Sequence, residues 1–330
     1  MRGTWRIRRA QRKLKTWKSQ IFDRLTQDDL VRGLCKLDIP AGSTVCVHSS
    51  LSRLGYVECG ADGVVEAVLQ AVGSQGRVLM PAFTMSGTML EYLQIGAPFD
   101  VNRSPSKAGA ITEAFRQRSD VLRSMHPTNS LCGWGKDVES LLVDHDKSPT
   151  PYGRNTPYGR LAERDDAYIL MIETHVQSLL HHLQDRVNFP NLFLPDEMRG
   201  EMIDADGSPR HIMTRVMRPQ VPYFVAIPSR HSQPDWALIQ DFTLTFPERR
   251  ERLLREKGYR FDGYTKLYER RKLMENAGIL RATKVGSGEI GLLKAKEFIK
   301  LIEPEFREMI ERFRPHYEAD KIKAMNLPNF

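Results

Sequence analysis

Two short apolar runs about thirty residues apart, each ending abruptly in small polar residues, most constrain how this chain can fold. Ser43-Thr44-Val45-Cys46-Val47 reads as a buried β-strand that leaves its sheet in the turn His48-Ser49-Ser50-Leu51. Gly76-Arg77-Val78-Leu79-Met80 repeats the pattern, with Pro81-Ala82-Phe83-Thr84 as its exit. Between them, residues 60–72 (GADGVVEAVLQAV) carry Val64, Val65, Val68 and Leu69 at helical spacing, with Asp62 as the expected cap. Strand, polar turn, helix, strand, polar turn is a βαβ unit. Sheets built this way bind ligands beyond the carboxyl ends of their strands, so the two exits mark a small-molecule site.

Composition narrows the class. The chain has 330 residues, 41% of them hydrophobic, and no run nears the ~18 apolar residues of a membrane span. No apolar signal-peptide core follows the basic start, which predicts a cytoplasmic protein. Four cysteines without CxxC spacing argue against a disulfide framework or a zinc ribbon, and Cys46 reads as a small buried hydrophobe. The net charge is +8, and all of it sits in residues 1–24, which hold nine Lys or Arg against Asp23. The body is balanced, so nucleic acid is not an expected partner.

Residues 1–25 read as a basic amphipathic extension, with Ala10, Leu14, Trp17, Ile21 and Leu25 on one face. That face either packs on the protein's own body or a dimer mate, or lies on an anionic membrane surface at the cytoplasmic side. Residues 26–330 read as one composite α/β domain. Helices are expected over 26–37, 108–118, 135–143, 264–277 and 292–302, and strands over 167–172 and 279–285. A short strand is expected near 121–123, and 85–103 reads as an irregular loop. The tandem PYGR at 151–154 and 157–160 is a loop, not a repeat architecture.

Several histidines invite chemistry. His126, before Pro127, is held extended after a short strand and either handles a proton or substrate, or fastens its loop. Asp144-His145-Asp146 is either a metal site or an exposed helix end. His181 and His182 follow the buried strand 167–172, but adjacent helical positions diverge by about 100°, so only one can face a given site. No third ligand accompanies them, and no metal is expected. GxGxxG, P-loop and GxSxG signatures are all absent, so Ser49 and Ser50 read as hydrogen-bond donors rather than nucleophiles.

The run VHSSLSRLGYVECGADGVVEAVLQAVGSQGRVLMPAFT resembles the opening of the aminoglycoside 3-N-acetyltransferase family. Agreement continues in order through Phe99-Asp100, Ser104-Pro105-Ser106, Gly109 to Glu113, Arg123 to Ser130, Asp144-His145, Thr156 to Leu161, Leu180-His181, Asp241-Phe242 and Gly278 to Gly286. It covers about residues 30–303 and leaves out the basic extension. The resemblance implies a single α/β/α sandwich domain that moves an acetyl group from acetyl-CoA to an amine of an amino sugar by direct attack. It implies that His48, Ser49, Ser50, Leu51, Phe83 and Thr84 line the thioester arm of the cofactor, with Ser104 and Ser106 nearby. It places His181 as the general base, which frees the attacking amine of its proton; His126, Glu173 and Asp241 complete the catalytic candidates.

This chain departs from the family pattern at Gln184, where a glutamate is usual three residues after the histidine. Glu173 and Asp241 are the candidate substitutes for that carboxylate. The lost acid argues against a polycationic aminoglycoside substrate. It also motivates the alternative of a catalytically weakened CoA-binding or scaffold protein on the same fold.

Overall fold

The computed structural model of the chain describes residues 24–174, 178–189, 192–217, 222–227, 235–240 and 271–313. Its strands are β1 (Arg24–Leu25), β2 (Thr44–Ser49), β3 (Tyr56–Val57), β4 (Arg77–Pro81), β5 (Phe99–Asp100), β6 (Leu122–Arg123) and β7 (Leu131–Gly135). They continue with β8 (Ala167–Ile172), β9 (Phe193–Ile203), β10 (Pro209–Met217), β11 (Pro222–Ile227), β12 (Asp235–Gln240), β13 (Leu280–Val285) and β14 (Gly288–Lys294). Seven of them form the central sheet in the order β13-β14-β8-β2-β4-β7-β6. β2 runs parallel to both β4 and β8, while β7, β6, β14 and β13 extend the sheet antiparallel on either side.

The three parallel strands are covered on both faces, which is why they read as unbroken apolar runs rather than as alternations. Side chains still divide by period two. Val45, Val47, Val78, Met80, Leu170 and Ile172 pack under Leu30 and Leu34 of the Gln27–Cys35 helix and Val64, Val65 and Val68 of the Gly60–Val72 helix. Cys46, Leu79 and Ile169 face the other way, onto Leu161, Leu179, Leu183, Phe298 and Ile302 from the helices Pro157–Glu163, Leu179–Arg186 and Ala295–Phe313. Helix, sheet, helix is therefore the layering, and the α/β/α expectation holds.

A smaller sheet, β10-β9-β5, lies outside this sandwich, built on a long hairpin of β9 and β10 with β5 parallel to β9. Phe99, Val101, Met202 and Ile212 form its core. β11 and β12 make a separate antiparallel pair, and β1 pairs with β3. Leu25 is already buried, so the folded body takes in Arg24 and Leu25, which the sequence reading gave to the extension. Residues 1–23, with the face of Ala10 to Ile21, lie outside the described residues.

Local expectations were met unevenly. The 60–72 helix and the 167–172 strand have the expected bounds. Asp62 does not cap the former: Cys59 is its N-cap, and no side chain bonds there. β2 continues through Ser49, so His48 belongs to the strand rather than to its exit turn. The expected loop over 85–103 contains the Met89–Ile95 helix, stabilised by a capping box in which Thr88 and Glu91 satisfy each other's backbone N–H groups. The expected helix over 135–143 shrinks to Glu139–Leu142, because Leu131–Gly135 pairs antiparallel with β4. β14 and the length of the last helix were also not foreseen; of the 264–277 helix, the described part, 271–276, is helical.

Candidate active site

The carboxyl ends of β2, β4 and β8 open on one edge of the sheet, and the chain places its polar turns there. His48 is on the Cys46 face of β2, the face covered by the Leu179–Arg186 helix. Its Nε2 accepts the Ser178 backbone N–H (3.4 Å) at the start of that helix and lies 3.9 Å from Cys46 Sγ. Burial, reinforced by the nearby His181, pushes the His48 pKa down to about 4, so the ring is neutral. The same burial pushes the Cys46 thiol up to about 12.

Beginning at the residue after that contact, the Leu179–Arg186 helix buries Leu179 and Leu183 in the core and turns His181 and Gln184 to one another. Positions three apart share a helix face. His181 is half-buried, and its Nδ1 donates to Gln184 Oε1 (2.9 Å). An imidazole that gives its Nδ1 proton to a neighbour keeps its lone pair on Nε2, the nitrogen a general base uses. The His181 ring lies 5.0 Å from that of Tyr152. Tyr152 is clamped in turn: its hydroxyl accepts from Asn129 Nδ2 (2.7 Å), and its carbonyl accepts from His182 Nδ1 (2.7 Å). His182 is therefore buried framework. The sequence reading saw only a loop at Tyr152; the one available signal was an aromatic residue in a Pro-Tyr-Gly turn.

Of the carboxylates proposed for His181, the described one is engaged elsewhere. Glu173, in the left-handed region at φ 53°, turns its carboxylate to the backbone N–H of Glu289 in the β13–β14 hairpin. Asp241 lies outside the described residues, as does His175. Asp185, next to Gln184, is taken by the Thr150 hydroxyl, and burial raises its pKa. Gln184 has no exposed surface, and its Nε2 has no hydrogen-bond partner among the described residues. Leaving such a donor unmet costs about 1–3 kcal/mol.

His126 is placed in the framework of its loop. It has no exposed surface, its Nδ1 accepts the Asn129 N–H (3.2 Å), and Nε2 faces the Thr214 hydroxyl at 3.5 Å. Burial and the adjacent His145, whose ring is 4.7 Å away, hold its pKa well below the ordinary value. An imidazole so enclosed has no nitrogen to offer a substrate, so the loop-fastening alternative describes it. His145 corrects both readings of its segment: it is fully buried, bonded to Ser124 Oγ and to the Pro151 carbonyl (2.9 Å each), and is neither a metal ligand nor an exposed helix end. Among the described residues no group of three or more potential metal ligands gathers, and no helix is long and apolar enough to cross a membrane.

Of the cofactor candidates, Ser49, Ser50, Leu51 and Phe83 are half-buried at the ends of β2 and β4. Thr84 donates to the Pro127 carbonyl. Ser104 Oγ accepts the Asp100 N–H (2.9 Å), and Ser106 Oγ accepts that of Ala108 (3.1 Å), so both shape their own loop. Arg123, which the sequence reading did not single out, ties these loops together. Its guanidinium donates to the carbonyls of Ser104 (2.5 Å) and Ala82 (2.7 Å) and to Ser130 Oγ (3.0 Å), and stacks 4.7 Å over Phe99. Burial pushes its pKa down to about 10. On the far side of this arginine, a cleft of about 870 Å³ beside β6 is lined by Arg118, Arg123, Asp144 and Lys147, and neither His48 nor His181 reaches it.

Comparisons with known proteins identify the family and the fold. Residues 46–307 match the family described as aminoglycoside 3-N-acetyltransferase. The chain is 30% identical over 191 residues to the SPbeta prophage-derived aminoglycoside N(3')-acetyltransferase-like protein YokD of Bacillus subtilis (strain 168), covering 52% of this chain and 68% of that one. It is 29% identical over 180 residues to aminoglycoside N(3)-acetyltransferase VIII of Streptomyces fradiae, covering 50% and 63%. The fold matches the crystal structure of aminoglycoside acetyltransferase AAC(3)-Xa with a TM-score of 0.61 at 23% identity, over 86% of this chain and 93% of the other. From the family match over most of its length, the chain belongs to the aminoglycoside 3-N-acetyltransferase family.

Proposed function

We propose that this protein transfers the acetyl group of acetyl-CoA directly to the amine of an amino sugar or related small molecule, with His181 as general base. Membership of the family makes it an N-acetyltransferase with acetyl-CoA as its co-substrate. The observation that supports His181 is its paired Nδ1: a half-buried imidazole whose other nitrogen carries a lone pair, set beyond the carboxyl end of the parallel strands. In the step we envisage, Nε2 takes a proton from the acceptor ammonium. The freed amine attacks the thioester carbonyl and forms the C–N bond. The C–S bond then breaks, the attacking nitrogen gives up its second proton to make the leaving sulfur a thiol, and His181 returns its own proton to solvent. In this reading the end of β2 and the residues after it, His48 to Leu51, hold the thioester arm together with Phe83-Thr84, and the reaction takes place in the cytoplasm. Backbone donors near the carbonyl stabilise the developing oxyanion.

The test is release of free thiol from acetyl-CoA in the presence of a panel of amino sugars, beside a thermal melt with saturating acetyl-CoA. At a hundred times the dissociation constant, binding adds about 2.7 kcal/mol and raises the melting temperature by several degrees. A second reading, a CoA-binding protein without transferase activity, is favoured by the neutral Gln184 beside His181. It predicts the thermal shift without thiol release.

A further inference from the structure

We infer that Gln184 decides which amines this site accepts: it holds His181 in one tautomer while adding no negative charge, and the acceptor is an amino sugar with a single cationic amine. This inference rests on the transferase reading above and sharpens it. Gln184 is fully buried with half of its hydrogen-bonding capacity unmade among the described residues. Buried polar groups are almost always satisfied, and an exception asks for a reason. What this side chain supplies is Oε1, a neutral acceptor for the His181 Nδ1 proton at 2.9 Å.

The surrounding charges point the same way. Asp185 accepts from Thr150, and the Glu173 carboxylate is committed to the Glu289 backbone. His48, which senses His181, is held neutral by burial. The Tyr152 ring lies tilted beside that of His181. From the neighbouring sheet, Arg215 lies in the field of Asp185 and makes no ion pair among the described residues; its backbone N–H bonds to the Pro149 carbonyl at 2.8 Å. Among the described residues, the carboxylates of the Leu179–Arg186 helix and of Glu173 are both hydrogen-bonded, and the acids of the neighbouring β9, Asp196 and Glu197, are exposed.

A single reacting ammonium gives up its proton to His181 and needs no counter-ion. Each additional ammonium of a polycation stays charged and needs a carboxylate to offset its desolvation. Gln184 is thus a positioning residue that also sets specificity.

The test compares the full-length wild type, Gln184→Glu and Gln184→Leu by thiol release from acetyl-CoA. D-glucosamine serves as the single-amine probe and neamine as the four-amine probe, with pH profiles of kcat/KM for each protein. The wild type is expected to favour glucosamine. Gln184→Glu should move the preference at least about tenfold toward neamine, through the neamine KM, and shift the acidic limb of the profile up by roughly a pH unit, because a carboxylate favours the protonated imidazole. Gln184→Leu should lower kcat about tenfold or more, leaving the KM for acetyl-CoA unchanged, since it removes only the acceptor that orients the base. A wild type that prefers neamine, or a folded Gln184→Glu with unmoved preference and profile, overturns the inference alone. No thiol release with any amine overturns the transferase reading itself, and this inference with it.

Discussion

His126 and His181 each follow a strand of the central sheet, β6 and β8 respectively, and their surroundings use the imidazole in opposite ways. Around His126 the protein closes completely: backbone N–H groups of the following turn fill Nδ1, Thr214 stands at Nε2, and the ring stacks on His145 with no exposed surface. Around His181 it stops halfway, committing Nδ1 to Gln184 and leaving the ring half-exposed. Both arrangements fix a tautomer, but only the second leaves a lone pair that a ligand can reach. A histidine in a polar turn therefore says little until the partners of both nitrogens are known.

The largest consequence of this division is in acid. His48 and His145 titrate at about 4 when folded, and His126 is held well below its ordinary value, all chiefly by burial. Folded values below the unfolded value of about 6.5 mean that the unfolded chain binds more protons. The stability of the neutral state is then fully present above pH ~6.5 and is lost as pH falls toward ~4. Each such imidazole contributes up to about 1.4 kcal/mol per pH unit in that window. Urea midpoints taken between pH 7.5 and 5 should fall steeply, and His126→Leu should flatten the slope while lowering stability at neutral pH. A midpoint that stays level through this range would mean that the buried histidines are not held neutral.

Next in size is the split between activity and stability. His181→Ala should reduce kcat by at least about a hundredfold, near 2.7 kcal/mol, with a nearly unchanged melting temperature. His126→Ala should do the reverse, costing about 2–4 kcal/mol of stability through the cavity and the stranded N–H groups of its turn. Thermal melts beside initial rates separate the two. Equal loss of activity in a still-folded His126→Ala would put that ring back at the reacting atoms.

The same contrast explains how much could be seen in the sequence. Covered strands and amphipathic helices announce themselves by apolar periodicity, so 60–72 and 167–172 were legible to the residue. β7 was not, because Leu131-Cys132-Gly133-Trp134-Gly135 carries two glycines and its identity as a strand comes from pairing with β4. The Met89–Ile95 helix was hidden by its flanks, although its capping box was there to find. At the site, the turns at the strand ends and the His181–Gln184 spacing were visible, since helical geometry alone makes those two residues neighbours. Arg123 and Tyr152 were not, because their partners sit at Ser104, Ala82, Ser130 and Asn129, contacts between segments that only the folded chain brings together.

Glu173 offers the smallest effect and the finest cut. It stands immediately after β8, at the opening of the segment that leads to His181. The fold nonetheless spends its carboxylate on the Glu289 N–H, and a Cβ added at Gly288 would lie 3.0 Å from Glu173 Oε1, so the side chain is fitted closely to the β13–β14 hairpin. A glutamine has the same length and still presents an acceptor oxygen to that N–H, so Glu173→Gln should cost less than about 1 kcal/mol of stability. Transfer should stay within about twofold of wild type, and the acidic limb of kcat/KM should not move, because no charge near the base has changed. A lowered acidic limb, with activity lost at an unchanged melting temperature, would mean that Glu173 leaves the hairpin during turnover to serve His181. The neutral Gln184 would then be only half of the device that sets the base.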